Sequence, residues 1–197
     1  MSKLDWSKKV PNFLEHLAIS TAQLKCLDII ESLNISTVME VGIGGGQFAQ
    51  LLLSTFKGNY IGIDGTKTFI QHAQSLDLEN AKFICALMGN NDIKVPLADL
   101  IYLRHVLEHN ETFQECVSWL AKHSKKYLLV INFLNWAPKK TKLSLDSEGF
   151  HYIRRTRDEF LEEFKTHGFQ LKEEISLKVP QCWPDEIENI LFFERFC

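Results

Sequence analysis

The chain lacks the features that mark secreted, metal-binding or nucleic-acid-coating proteins. Its five cysteines, at positions 26, 85, 116, 182 and 197, are odd in number, and no two stand in C-x-x-C spacing. Disulfide frameworks and zinc sites need paired thiols, so the expectation is free cysteines in a reducing compartment and no metal. Cys85 and Cys116 are expected to be buried, because they sit in apolar stretches. Excess positive charge is missing too. Lys and Arg number 22 against 25 Asp and Glu, a net charge of −3, so no general basic surface exists to neutralise phosphates. Met1-Ser2-Lys3-Leu4-Asp5-Trp6 carries no apolar signal core, and no run approaches transmembrane length. Internal repeats and low-complexity tracts are absent. The expectation is a cytoplasmic, soluble protein.

What remains is an ordinary globular composition, 45% hydrophobic and 24% charged over 197 residues. That length suits one well-buried domain and is short for two. The periodicity predicts two helices near 10–19 and 21–33, the second opened by a capping box at Ser20–Gln23. Strands and helices then alternate: strand 37–41, helix 47–56, strand 59–64, helix 67–76, strands 81–85 and 99–103, helix 111–123. Tyr127–Phe133, the most apolar run, reads as a strand buried on both faces. Thr156–Glu159 is a second capping-box candidate, and its helix ends at Gly168. Phe169–Val179 and Ile187–Phe196 read as strands with no crossover helix between them, so they pair antiparallel or not directly. About 134–155 shows no clear period and is expected to be a long functional loop.

The densest signal is Val38-Met39-Glu40-Val41-Gly42-Ile43-Gly44-Gly45-Gly46-Gln47. A short apolar strand with one carboxylate enters a four-glycine loop, and a helix pattern through Phe48, Leu51, Leu52 and Phe56 follows. Strand, glycine turn and helix make a nucleotide cradle, in which the unpaired amides of the helix N-terminus face a ligand. Glu40 would be costly to bury unpaired. Asp64, at the next strand's end, has a carboxylate able to accept from two ribose hydroxyls, or simply to cap the following helix. Gly44–Ala49 also satisfies the dinucleotide pattern G-x-G-x-x-A, so an NAD-binding protein stays open on the glycines alone.

Several segments in order resemble the class I S-adenosylmethionine-dependent methyltransferases, of the compact kind acting mostly on small molecules. Glu40–Gly46 resembles the family's acidic-x-G-x-G-x-G loop, and Asp64 its ribose-binding acid. Asp99–His109 resembles the fourth strand with its LEH segment, and Glu159–Phe164 with Gly168-Phe169 the late helix and sixth strand. The resemblance covers about 35–197 and implies a doubly wound, mostly parallel seven-stranded sheet with helices on both faces and a C-terminal antiparallel strand. It implies S-adenosyl-L-methionine as cofactor, met by Glu40, Gly42, Gly44, Gly46, Asp64, Gly65, Leu87, Met88 and Arg104. Glu40 would help hold the cationic methionine end. The family's acidic adenine contact has no clear equivalent in Cys85–Asp92. Leu87 and Met88 are expected to sandwich the adenine, with Asn90 or Asp92 as polar contact.

The resemblance organises the chain as a single methyltransferase domain, 1–197, with a helical cap at 1–34, a cofactor half at 35–133 and a substrate half at 134–197. Methyl transfer from a sulfonium needs alignment and removal of a proton more than covalent help. The candidates at the strand ends are His151 as general base, then His109 and His105, with Tyr152, Arg154, Asn132 and Trp136 facing the acceptor. Trp183 and Phe150 either line the cavity or cover the sheet edge. Arg154, Arg155 and Arg157 suit an acidic substrate, or pair with Glu159, Glu162 or Glu163. No N-P-P-Y-like run and no Pro-Cys nucleophile is present, so a small-molecule methyl acceptor ranks ahead of nucleic acid, with no membrane partner and a monomer or homodimer. The alternatives are a non-catalytic S-adenosylmethionine-binding scaffold and an NAD-binding Rossmann protein.

Overall fold

The computed structural model describes residues 19–89, 94–133, 135–147, 149–178 and 187–196. The helix expected near 10–19, the adenine candidates Asn90 and Asp92, and Trp183 lie outside the described residues. Helix α1 (Thr21–Ser32) opens on a complete capping box between Ser20 and Gln23. Strand β1 (Thr37–Val41), α2 (Gln47–Thr55), β2 (Asn59–Asp64), α3 (Lys67–Ser75), β3 (Ala81–Cys85) and β4 (Ala98–Arg104) follow. Then come a 3-10 turn at Leu107–His109, α4 (Phe113–His123) and β5 (Ser124–Asn132). The chain ends with β6 (Lys142–Leu145), β7 (His151–Arg154), α5 (Arg157–Thr166), β8 (Phe169–Lys178) and β9 (Ile187–Arg195).

The main sheet has seven strands in the order β3-β2-β1-β4-β5-β9-β8. The pairs from β3 to β5 are parallel, and β9 runs antiparallel to both β5 and β8. Its neighbours on β1 lead off in opposite directions, so the strand order reverses between β1 and β4. Ligands sit beyond the carboxyl ends of strands at such a reversal.

Alternation along the strands gives each face its own core. Val38, Leu100, Tyr102, Leu129, Ile131 and Ile190 meet α1 and α2 through Cys26, Ile30, Phe48 and Leu52. Met39, Val41, Ile101, Leu103, Val130 and Leu191 meet α4 and α5 through Phe113, Val117, Leu120, Phe160 and Phe164. A sheet covered on both faces reads as continuous apolar runs, which is why β5 stands out in the sequence.

Three expectations need correction. The 134–155 stretch is not one long loop: β6 and β7 pair as an antiparallel hairpin inside it. Its strands are four residues each and β6 is exposed throughout, so no apolar period marks them. Cys85 is exposed, whereas Cys26 and Cys116 are buried, because β3 is an edge strand of the sheet. At α5, Thr156 Oγ1 accepts from Glu159 N at 3.2 Å, but the Glu159 carboxylate is engaged by the Thr141 hydroxyl, so the box is half made.

Candidate functional site

The glycine loop leaves β1 at the strand reversal. Gly42, Gly44 and Gly46 all have positive φ (78°, 52° and 84°), a region that costs other residues strain. At Gly42 a Cβ would also fall 2.5 Å from Val106 Cγ2. The loop is tied to β2 by Gly42 N donating to Ile63 O at 2.8 Å. Asp64 draws the two segments together, accepting from Gly44 N (3.1 Å) and from Thr66 N (2.8 Å). Thr66 is the residue before α3, so Asp64 does serve the helix entry. Each carboxylate oxygen keeps a second lone pair for a ligand hydroxyl.

Glu40 is 4% exposed. Its carboxylate accepts a hydrogen bond from the Tyr60 hydroxyl on the neighbouring strand. Burial pushes Glu40 up to about 8, the Tyr60 hydrogen bond only partly opposing it. Tyr102, on the same sheet face, is fully buried, and its hydroxyl has no partner among the described residues.

Beside them stands a cluster assembled from both ends of the chain. Arg104, ending β4, donates Nε (3.1 Å) and Nη2 (2.8 Å) to Glu188 Oε1 at the start of β9. His105 Nε2 lies 2.7 Å from the same oxygen. Burial would raise Glu188, but His105 and Arg104 hold it down at about 2. Burial pushes His105 down to about 4. His105 also has φ 56°, a conformation uncommon outside glycine that clusters at functional sites.

The LEH turn is clamped from two sides. Glu108 is buried, and its Oε1 accepts from Phe133 N at 2.7 Å at the end of β5. Arg155 donates to Leu107 O (2.9 Å) and Asn110 O (2.6 Å) and stacks over Phe113 at 4.2 Å. Its guanidinium is thereby committed to the fold. Arg157 pairs with Glu174 on β8 at 2.6 Å and not with the helix carboxylates expected for it, because β8 lies beside the start of α5.

The structure brings together His105, His109, Phe133 and Tyr152. Phe133 is 4.7 Å from the His105 ring and 6.0 Å from both His109 and Tyr152, and His109 is 5.1 Å from Tyr152. His109 Nδ1 lies 2.6 Å from the backbone O of His151. A carbonyl only accepts, so Nδ1 carries the proton and Nε2 its lone pair. Burial lowers the pKa of His109.

His151 is placed differently. Successive strand residues point to opposite faces, and Tyr152 takes the one toward His109. The His151 imidazole Nδ1 meets Glu111 Oε1 at 2.6 Å. Asn132 is buried and is the β5 partner of Asn189. Arg154 pairs with Lys142 across the hairpin. Trp136 lies apart: its indole donates to Glu174 at 3.3 Å and its ring packs 5.2 Å from Phe160. Phe150 is buried. Leu87 is half-exposed over Gly65, where a Cβ would meet it at 2.3 Å. Met88 packs instead against the α4–α5 core.

Sequence reasoning missed Tyr60, Glu111, Phe133 and Glu188. Glu188 gave the same signal as Glu40, a carboxylate inside an apolar strand. The other three carry no local mark, since their partners lie 20 or more residues away.

No curated protein sequence matches the chain. Residues 38–126 match the sequence model of a methyltransferase domain. The structure is similar to 1,6-didemethyltoxoflavin-N1-methyltransferase of Burkholderia thailandensis, solved with 1,6-didemethyltoxoflavin and S-adenosylhomocysteine. That TM-score is 0.76 at 11% identity, over 98% of this chain and 84% of that one. It is similar also to magnesium protoporphyrin IX methyltransferase of Synechocystis PCC 6803 with bound S-adenosylmethionine. Here the TM-score is 0.69 at 16% identity, over 100% of both chains. The cyclase SpnF has the same architecture, with TM-score 0.69 and 12% identity over 87% of this chain and 80% of that one. The molecule thus has the Rossmann-like methyltransferase fold, with a glycine-loop cradle at the strand reversal. The family match runs from β1 and its glycine loop to the start of β5, and S-adenosylhomocysteine or S-adenosylmethionine is bound in the first two of these neighbours.

Proposed function

We propose that the chain is a methyltransferase that moves a methyl group from S-adenosylmethionine to an O, N or C atom of a small-molecule acceptor by in-line displacement. The observation that carries this is the cradle itself: three left-handed glycines beside Asp64, with buried Glu40 beneath. Bound S-adenosylmethionine supplies a methyl group already activated by a sulfonium. Asp64 is suited to the ribose, Gly65 and Leu87 to one adenine face, and Glu40 with Arg104 to the charged methionine end. The unpartnered Tyr102 hydroxyl beside Glu40 fits a polar occupant of this kind.

For the acceptor, the ring cluster of His105, Phe133, His109 and Tyr152 offers a wall, with Asn132 and Arg154 at its margins. We assign proton removal to His109 ahead of His151, because His109 shares that wall with Phe133 and Tyr152. His151 keeps a carboxylate at its Nδ1 and is the second candidate. A panel of small phenols, amines, heteroaromatic N–H compounds and carboxylates with methyl-labelled cofactor tests the reading. Label in an acceptor is the expected result, and cofactor binding without transfer favours the scaffold alternative. His109→Ala should lower kcat about 10²-fold or more, the ordinary contribution of a general base, and His151→Ala by less. Full turnover by His109→Ala at saturating acceptor rules the role out.

A further inference from the structure

Glu188 reaches the cofactor end of the sheet from β9, the strand that enters antiparallel next to β5. It is 2% exposed, and a buried carboxylate needs compensation for lost hydration. It obtains this from Arg104, whose Nε and Nη2 both donate to Oε1. The guanidinium is therefore held by one edge. Its Nη1 has no partner among the described residues, and the Arg104 side chain is 21% exposed. Glu40 and the Tyr102 hydroxyl are near neighbours on the same sheet face, Tyr102 two residues before Arg104 on β4 and paired with Glu40 in the β1–β4 register. An anion acceptor fixed by one edge, with a buried carboxylate close by, matches a zwitterion carrying both an ammonium and a carboxylate.

We propose that Glu188 is a positioning residue for the cofactor's amino-acid end, holding Arg104 by its Nε/Nη2 edge so that Nη1 meets the α-carboxylate. This rests on the cofactor reading above. The arrangement makes β9 part of the binding site, although it carries none of the glycine-loop signal. Glu188 and Arg104 then act as a unit, so removing either should release the same interaction.

Two ligands separate this from a structural role: S-adenosylhomocysteine, and 5′-methylthioadenosine, which keeps the adenosine thioether and lacks the amino-acid end. Both are titrated calorimetrically into the full chain, wild type and Glu188→Ala, Arg104→Lys and the double variant. Glu188→Ala should weaken S-adenosylhomocysteine about tenfold or more and leave 5′-methylthioadenosine within about twofold. The double variant should be no worse than the weaker single. Equal loss of both ligands, or unchanged or tighter S-adenosylhomocysteine binding, overturns the proposal; the tighter result would mean that Glu188 competes with the α-carboxylate for Arg104. If Glu188→Ala does not fold, Glu188→Gln, which keeps the shape and loses the charge, is read by the same criteria. A wild type that binds neither ligand refutes the cofactor reading instead.

Discussion

At pH 7 the Glu40 carboxyl still holds its proton in the folded protein, because burial has pushed it up to about 8 from 4.5. The unfolded chain sheds that proton as pH passes its ordinary range. Between these values the folded state binds more protons than the unfolded one, so this contribution to stability is lost as pH rises. Glu108, raised by burial to about 7, has the same sign. Urea unfolding at several pH values should show wild-type stability falling between pH 5 and 8. Glu40→Gln, which keeps an acceptor for Tyr60, should flatten the fall by about 3 kcal/mol. Parallel curves would contradict the assignment. A cationic ligand group beside Glu40 should also expel the proton. Calorimetry in buffers of different ionisation enthalpy should therefore record release of up to about one proton at pH 7 on binding S-adenosylmethionine, abolished in Glu40→Gln. Glu40 was legible in the sequence as the one carboxylate in its strand. Tyr60 was not, because the register across β1 and β2 decides which residue faces it.

Among the elements, those read correctly are those whose signal is local. Glycines with positive φ, the Ser20–Gln23 box and the Gly168 helix end need a few neighbours each. The β6–β7 hairpin has no such signal. Its turn is set by Gly149 with φ 82° and by Phe150 N donating to Asp146 Oδ1 at 2.9 Å, and its exposed strands show no buried stripe. The loop glycines permit a direct comparison. Gly42→Ala meets both a positive φ and a Cβ at 2.5 Å from Val106, whereas Gly149→Ala meets a positive φ with nothing within 4 Å. Chemical denaturation should show Gly42→Ala less stable by about 2–4 kcal/mol and Gly149→Ala by about 1 kcal/mol. Equal losses would mean that the Val106 contact relaxes freely. Ser20→Ala removes the α1 cap and should cost about 1 kcal/mol.

For the molecule as a whole, the alternation of strands and helices implied a parallel sheet, and the missing crossover after Gly168 implied an antiparallel end. That β9 inserts between β5 and β8 was not legible in the sequence, since strand pairing across the chain is long-range. This insertion is what brings Glu188 to Arg104, and it explains why that pair escaped the sequence reading. The same topology places the glycine loop, the LEH turn and the start of β9 at one end of the sheet, where the proposed cofactor would meet the loop and Arg104. Calorimetric titration of the whole chain with S-adenosylmethionine, S-adenosylhomocysteine and NAD tests this most directly. One-to-one binding of the first two, weakened at least tenfold by Asp64→Ala and absent for NAD, is the predicted result. Failure to bind either S-adenosyl compound, or tight binding of NAD, would contradict it.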